Sequence, residues 1–208
     1  MLYLPALAMQ RLRDRGVLLD PGLTDEEVAR VEERVGFNFG KEHRDFLQDA
    51  LPIGQYWPDW RNGSTEDLRG QIDWPLWGIL PHAAGGSFWP AAWGERPASK
   101  PERESAAREH LDKVPRLVPL YSHRYLTVDP IFAPSPVFSC HETDVITFAD
   151  DLLDWAAQEF HMPPRHESHD STYVPFWSEI SADTGWELGP GSRAAEDESG
   201  PVSDPQHD

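Results

Sequence analysis

Apolar residues recur at Val28, Val31 and Val35 directly behind the run Thr24-Asp25-Glu26-Glu27, which is the spacing of one helical stripe opened by a capping box. In that box the Thr24 hydroxyl accepts the Glu27 N–H, and the Glu27 carboxylate accepts the Thr24 N–H. Leu23 and Val28 supply the hydrophobic staple, and Gly36 closes the helix. A second short helix over 41–51 turns Phe46, Leu47 and Ala50 inward and ends at Pro52 and Gly54. The apolar stretch 2–9 is interrupted by Pro5 and followed by Arg11, Arg13 and Arg15. It lacks the length of a membrane span and the flanks of a secretory signal, and it predicts a helix docked on the body of the domain.

From 53 to 147 the pattern changes to short apolar runs punctuated by Pro and Gly. Strands are predicted at 74–80, 88–93, 117–121, 125–128, 136–139 and 145–148. Residues 102–113 hold few apolar positions and read as an exposed helical insertion. Over 150–160, Leu152, Leu153, Ala156 and Phe160 share one face with Trp155 beside it, which predicts a closing helix. Strands this closely spaced leave no room for crossover helices. The class is therefore α+β, a mainly antiparallel sheet flanked by N-terminal helices and a C-terminal helix. One domain is expected over 1–188 with its core in 23–160. Residues 161–188 form an appendage that carries Tyr173, Phe176, Trp177, Ile180 and Trp186, and 189–208 form a disordered acidic tail.

Charge narrows the function. Against 36 Asp+Glu the 208 residues hold 18 Lys+Arg, a net charge of −18. Six acids and Arg193 fall from Glu187 onward, so −13 remains on residues 1–186 and the acidity belongs to the folded body. Such a surface repels nucleic acid and anionic membranes, which are held by clustered Lys and Arg. The single cysteine, Cys140, excludes an intramolecular disulfide and fits a reducing compartment, so a cytoplasmic location is expected.

Signatures of chemistry are sparse. The chain has no G-x-S-x-G elbow, P-loop, G-x-G-x-x-G or zinc pattern. Cys140 and His141 are neighbours in a strand and point to opposite faces, so Cys140 reads as a small buried hydrophobe. His161, His166, His169 and Asp170 lack ligand spacing, and Asp150, Asp151 and Asp154 are expected to face solvent at a helix start. No catalytic residue, cofactor or metal is predicted. Nine tryptophans are more informative, several of them paired: Trp57 with Trp60, Trp74 with Trp77, Trp89 with Trp93. Each is either core filler with its N–H on a carbonyl or an anchor for a partner. The run Tyr56-Trp57-Pro58-Asp59-Trp60-Arg61 has the character of an exposed loop. His123-Arg124-Tyr125 forms a compact polar spot, either an ion pair with a turn cap or a contact surface.

The order of segments resembles a known family. Leu23-Thr24-Asp25-Glu26-Glu27 opens a helix that runs through Glu32 to the Gly36 turn, and Glu42-His43-Arg44-Asp45-Phe46-Leu47 makes a second. Trp74-Pro75-Leu76-Trp77-Gly78 and Leu117-Val118-Pro119-Leu120-Tyr121-Ser122-His123-Arg124-Tyr125-Leu126 follow. Then Val137-Phe138-Ser139 leads through Thr143-Asp144-Val145-Ile146 to Glu159-Phe160. Over residues 23–160 this is similar to the SUKH superfamily, the Smi/Knr-type domains of fungal cell-wall regulators and bacterial immunity proteins. One departure is Gly40-Lys41, where relatives often carry Pro at the start of the second helix. The resemblance implies an α+β fold and a non-enzymatic protein that sequesters a polymorphic toxin, of nuclease or deaminase type. A basic toxin domain is the expected partner of an acidic surface. Trp57, Asp59, Trp60, Trp89, Trp93, Tyr121, His123, Arg124, Tyr125 and Asp144 are the expected contacts. A glycan or small-ligand module built on the Trp pairs and tied to cell-wall regulation is the alternative.

Overall fold

The computed structural model describes residues 4–128, 132–164 and 171–182. Helix α1 (Leu4–Asp14) is followed by strand β1 (Leu19–Pro21) and helix α2 (Asp25–Val35). The capping box forms as its residues dictate: the Glu27 N–H donates to the Thr24 hydroxyl at 3.2 Å and the Thr24 N–H to the Glu27 carboxylate at 2.9 Å. Gly36 ends α2 at φ 80°, a left-handed conformation open to glycine at little cost. Helix α3 (Lys41–Asp49) starts at Gly40 without a side-chain cap, two residues earlier in its end than expected, because Ala50 enters strand β2 (Ala50–Pro52) and pairs antiparallel with β1.

Helix α4 (Thr65–Gly85) follows, then a 3-10 turn at Ala91–Trp93 and helix α5 (Lys100–Leu111). Four antiparallel strands come next, β3 (Leu117–Tyr121), β4 (Arg124–Thr127), β5 (Val137–His141) and β6 (Asp144–Ala149), in spatial order β3-β4-β5-β6. Helices α6 (Leu152–Glu159) and α7 (Trp177–Ala182) complete the described chain. The molecule is α+β, as its element order predicts.

Alternate residues of the four-stranded sheet enter different apolar cores. Val118, Leu120, Leu126, Val137 and Ala149 belong to one, together with Met9 and Leu12 of α1, Val28 and Val31 of α2, Phe46 of α3 and Trp155 of α6. Leu117, Tyr125, Phe138, Cys140 and Val145 belong to the other, with Ile79 and Ala83 of α4, Leu111 of α5 and Trp177 and Ile180 of α7. A period of two places these sets on opposite faces. Both faces are covered, which is why the strands read as continuous rather than alternating apolar runs.

Several expectations are corrected. Residues 74–80 are helix, not strand: Leu68, Ile72, Pro75, Ile79 and Ala83 form a buried helical stripe that continues through Pro75 and Pro81. Pro75 has no N–H for the Gln71 carbonyl, and the Tyr125 hydroxyl donates to that oxygen instead, at 3.3 Å. Residues 88–93 form a loop and a 3-10 turn rather than a strand, and α5 is no exposed insertion, since it buries Ala107 and Leu111. Asp151 does not face solvent. It is fully buried and caps α6, accepting the Leu153 and Asp154 N–H groups at 2.8 and 2.9 Å. Within 161–188, Val174, Phe176, Trp177 and Ile180 are buried in the second core. His166, His169, Asp170, Trp186 and the segment 189–208 lie outside the described residues.

A charge-capable group sits inside the first core. His43 is buried, its two ring nitrogens have no hydrogen-bond partner among the described residues, and the rings of Phe39 and Trp60 meet it edge-on at 5.1 and 6.0 Å. Burial pushes its pKa down to about 3. Unfolding restores an ordinary imidazole near pH 6.5, so the unfolded chain binds the extra proton. Stability from this group is present above that pH and is lost as pH falls toward 3. Between pH 7.5 and 5 the loss should be about 2 kcal/mol by urea denaturation, at about 1.4 kcal/mol per pH unit below the unfolded pKa. His43→Leu should remove that part of the slope.

Candidate functional site

One side of α4 borders an open groove of about 840 Å³. At about 100° per residue, Glu66, Asp67, Gly70, Gln71, Trp74 and Trp77 share a single face of the helix, and that face is the wall. Ser122 and His123, in the turn between β3 and β4, and His141 at the end of β5 stand opposite. Trp57, Asp59 and Gly63 of the preceding loop also line it, and the buried residues Leu68 and Tyr125 make the floor.

The groove is held open by backbone packing. Gly78 of α4 lies so close to the β5–β6 turn that a Cβ there would sit 2.9 Å from the Glu142 Cα. The His82 Nε2 meets the Glu142 carboxylate at 2.9 Å just beyond. Further toward the helix start, Gly70 has nothing within 4 Å of where its Cβ would be, so the wall is lowest in the middle of the groove. The loop that carries Asp59 is clamped from within. Trp60 is buried against Phe39, while Arg61 pairs with Glu27 at 2.7 Å and holds that carboxyl down to about 2.

Trp74 and Trp77 are 49% and 56% exposed, which makes them two of the largest apolar side chains offered to solvent. Among the described residues no lysine or arginine lines the groove. Asp59 accepts the Asn62 N–H, Asp67 accepts the Ser64 hydroxyl, and Glu66 has no partner among the described residues. Burial, and then the Arg124 cation, lower the pKa of His123 and so favour its neutral form. Ser122 Oγ touches His123 Nδ1 at 3.1 Å. Two broad indoles and three carboxylates thus line one groove that, among the described residues, no lysine or arginine lines.

The groove brings together Trp57, Asp59, His123 and Tyr125 of the expected contacts, with Tyr125 as floor. The rest lie elsewhere. Trp60 is 1% exposed and Tyr125 2%, so neither offers a partner a side-chain surface, and Tyr125 instead serves the α4 backbone. Trp93 is stacked between His110 and Phe176 at 5.0 and 6.1 Å, and Trp89 meets it edge-on, its N–H on the Gly94 carbonyl. Tyr121 is half-buried beneath Tyr56 and Trp57. Arg124 is held by Glu159 at 2.9 Å, by Ser139 and by the face of Phe148, so its charge is compensated internally. Asp144 is exposed at the start of β6 but does not line the groove. The expected contacts lack Glu66, Asp67, Gly70, Gln71, Ser122 and His141, and also Trp74 and Trp77, which the sequence offers only as one of several tryptophan pairs. The Trp74/Trp77 spacing of three was their one signal.

No family model matches the chain, and neither does any curated protein or solved structure. Among the described residues no helix is long and apolar enough to cross a membrane.

Two paired substitutions test this geometry by urea denaturation. Trp60→Ala should cost about 3–5 kcal/mol, whereas Trp77→Ala should change stability by no more than about 0.5 kcal/mol. Ala at Gly70 should stabilise by up to about 1 kcal/mol through helix propensity. The same change at Gly78, forced against backbone, should destabilise by about 1–3 kcal/mol.

Proposed function

We propose that this chain is a non-enzymatic binding protein of the immunity type, akin to SUKH domains, which sequesters a basic toxin domain in the cytoplasm. The observation that carries the reading is the groove, which two exposed indoles share with Asp59, Glu66 and Asp67 and which, among the described residues, no lysine or arginine lines. The division of labour follows from physics. Carboxylates attract a basic surface over distance and raise the association rate, whereas buried aromatic contacts slow release.

The charge of the whole body points the same way, since −13 on residues 1–186 steers cationic partners from any approach. The α+β class agrees with what the family likeness implies, and the absence of a nucleophile or nucleotide motif favours binding over turnover.

The test begins with affinity capture from host lysate, followed by kinetics on the purified partner. The association rate should fall at least tenfold between about 50 and 500 mM salt as screening shortens the reach of the charges, with dissociation changing far less. Asp59→Asn combined with Glu66→Gln should reproduce that slowing at low salt. An association rate indifferent to salt, or tryptophan quenching by oligosaccharides with no protein captured, would overturn the reading in favour of a glycan module.

A further inference from the structure

We infer that the groove receives an extended, arginine-bearing segment of the partner, whose backbone crosses α4 at Gly70. The inference rests on the binding reading above and specifies its chemistry. Its starting point is a glycine that the fold does not require. Gly70 lies in the interior of α4, its φ is not left-handed, and nothing approaches within 4 Å of its missing Cβ. A mid-helix glycine weakens a helix, and here no neighbouring atom needs the space, in contrast to Gly78 on the same helix, where the Glu142 backbone fills it. Gly70 is nonetheless part of the groove wall. The open notch at its position lets another backbone come close.

The groove has two chemically different ends. Glu66 and Asp67 stand in the first turn of α4 with Asp59 beside the same groove, and Trp74 and Trp77 stand two to three turns further on. From Glu66 to Trp77 the helix rises about 16 Å, the span of about five residues of extended chain. The volume of about 840 Å³ falls in the range that holds a ligand of that size. An arginine suits both ends: its planar fork matches carboxylates bidentately, and its face stacks on indole. Lysine meets the carboxylates without a bidentate fork and the indoles without a planar face to stack, and an uncharged planar group meets only the indoles. The opposite wall supplies Ser122, His123 and His141, and among the described residues no lysine or arginine lines the groove to repel the guest.

The probes are acetyl-RGSGR-amide, its lysine analogue and its citrulline analogue, titrated into the full chain and followed by tryptophan fluorescence and calorimetry at low salt. The arginine peptide should bind with one site, the lysine peptide at least fivefold more weakly, and the citrulline peptide not measurably. Gly70→Phe should fill the notch and weaken arginine-peptide binding at least tenfold with an unchanged or higher melting temperature. Trp77→Ala should weaken it as well. Equal binding of arginine and lysine peptides, no binding of the arginine peptide, or undiminished binding to Gly70→Phe overturns the inference. The captured partner separates this failure from failure of the wider reading. If no peptide binds but Gly70→Phe still abolishes partner capture, the groove is the contact and only its arginine chemistry is wrong. If Gly70→Phe captures the partner as well as wild type, the groove itself is not the contact.

Discussion

A single helix divides its buried side between two apolar cores, and the rest of the molecule is arranged around that division. The first half of α4 places Leu68 and Ile72 in the core shared by α1, α2, α3 and α6. The second half places Ile79 and Ala83 in the core shared by α5 and α7. The helix can serve both only by passing the sheet where the strand turns lie, and the contact of Gly78 with the Glu142 backbone fixes how closely it passes. Once the helix is pinned there, its remaining face is held away from the turn at Ser122 and His123. The groove is the space left between them, so its shape is set by the packing of the interior.

Much of the architecture is written locally. Thr24 and Glu27 announce the start of α2, Gly36 its end, and the apolar runs around Leu117, Tyr125, Val137 and Val145 mark all four strands of the sheet, because each of these signals acts over a few residues. Helix α4 is illegible for the opposite reason. Pro75, Gly78 and Pro81 are ordinary breakers, and their cost is met from far along the chain: Tyr125, 54 residues from Gln71, supplies the donor that Pro75 lacks. No local pattern contains that bond. The same dependence divides the candidate site. Trp57, Asp59 and His123 sit on loops and turns whose exposure the sequence suggests, whereas Trp74 and Trp77 become neighbours on a wall only once the segment is helical. Trp60 and Tyr125 look equally available in the sequence and are withdrawn by tertiary packing.

The internal placement of cations sharpens the field outside. Arg61 is tied to Glu27 and Asp20, Arg124 to Glu159, Arg44 to Asp25 and Arg13 to Asp49. The exposed pairs add little to stability. Their larger effect is to fix positive charge at defined points: Arg61 lies within electrostatic reach of Asp59 and Arg124 within that of His123, while among the described residues no lysine or arginine lines the groove itself. An acidic protein with its arginines free to swing over that surface would present a weaker and more variable potential.

Cys140 sits on β5 opposite Val145, fully buried in the second core, and burial pushes its thiol well above the usual range. A thiol so placed is inert while the sheet is intact, since both deprotonation and access require β5 to part from its neighbours. It is also the chain's single cysteine. Nature has in effect placed one chemical clock at the centre of the fold. The rate at which a small thiol reagent consumes it counts openings of the sheet one by one, and any stiffening of the turns that border the groove should be audible in that rate.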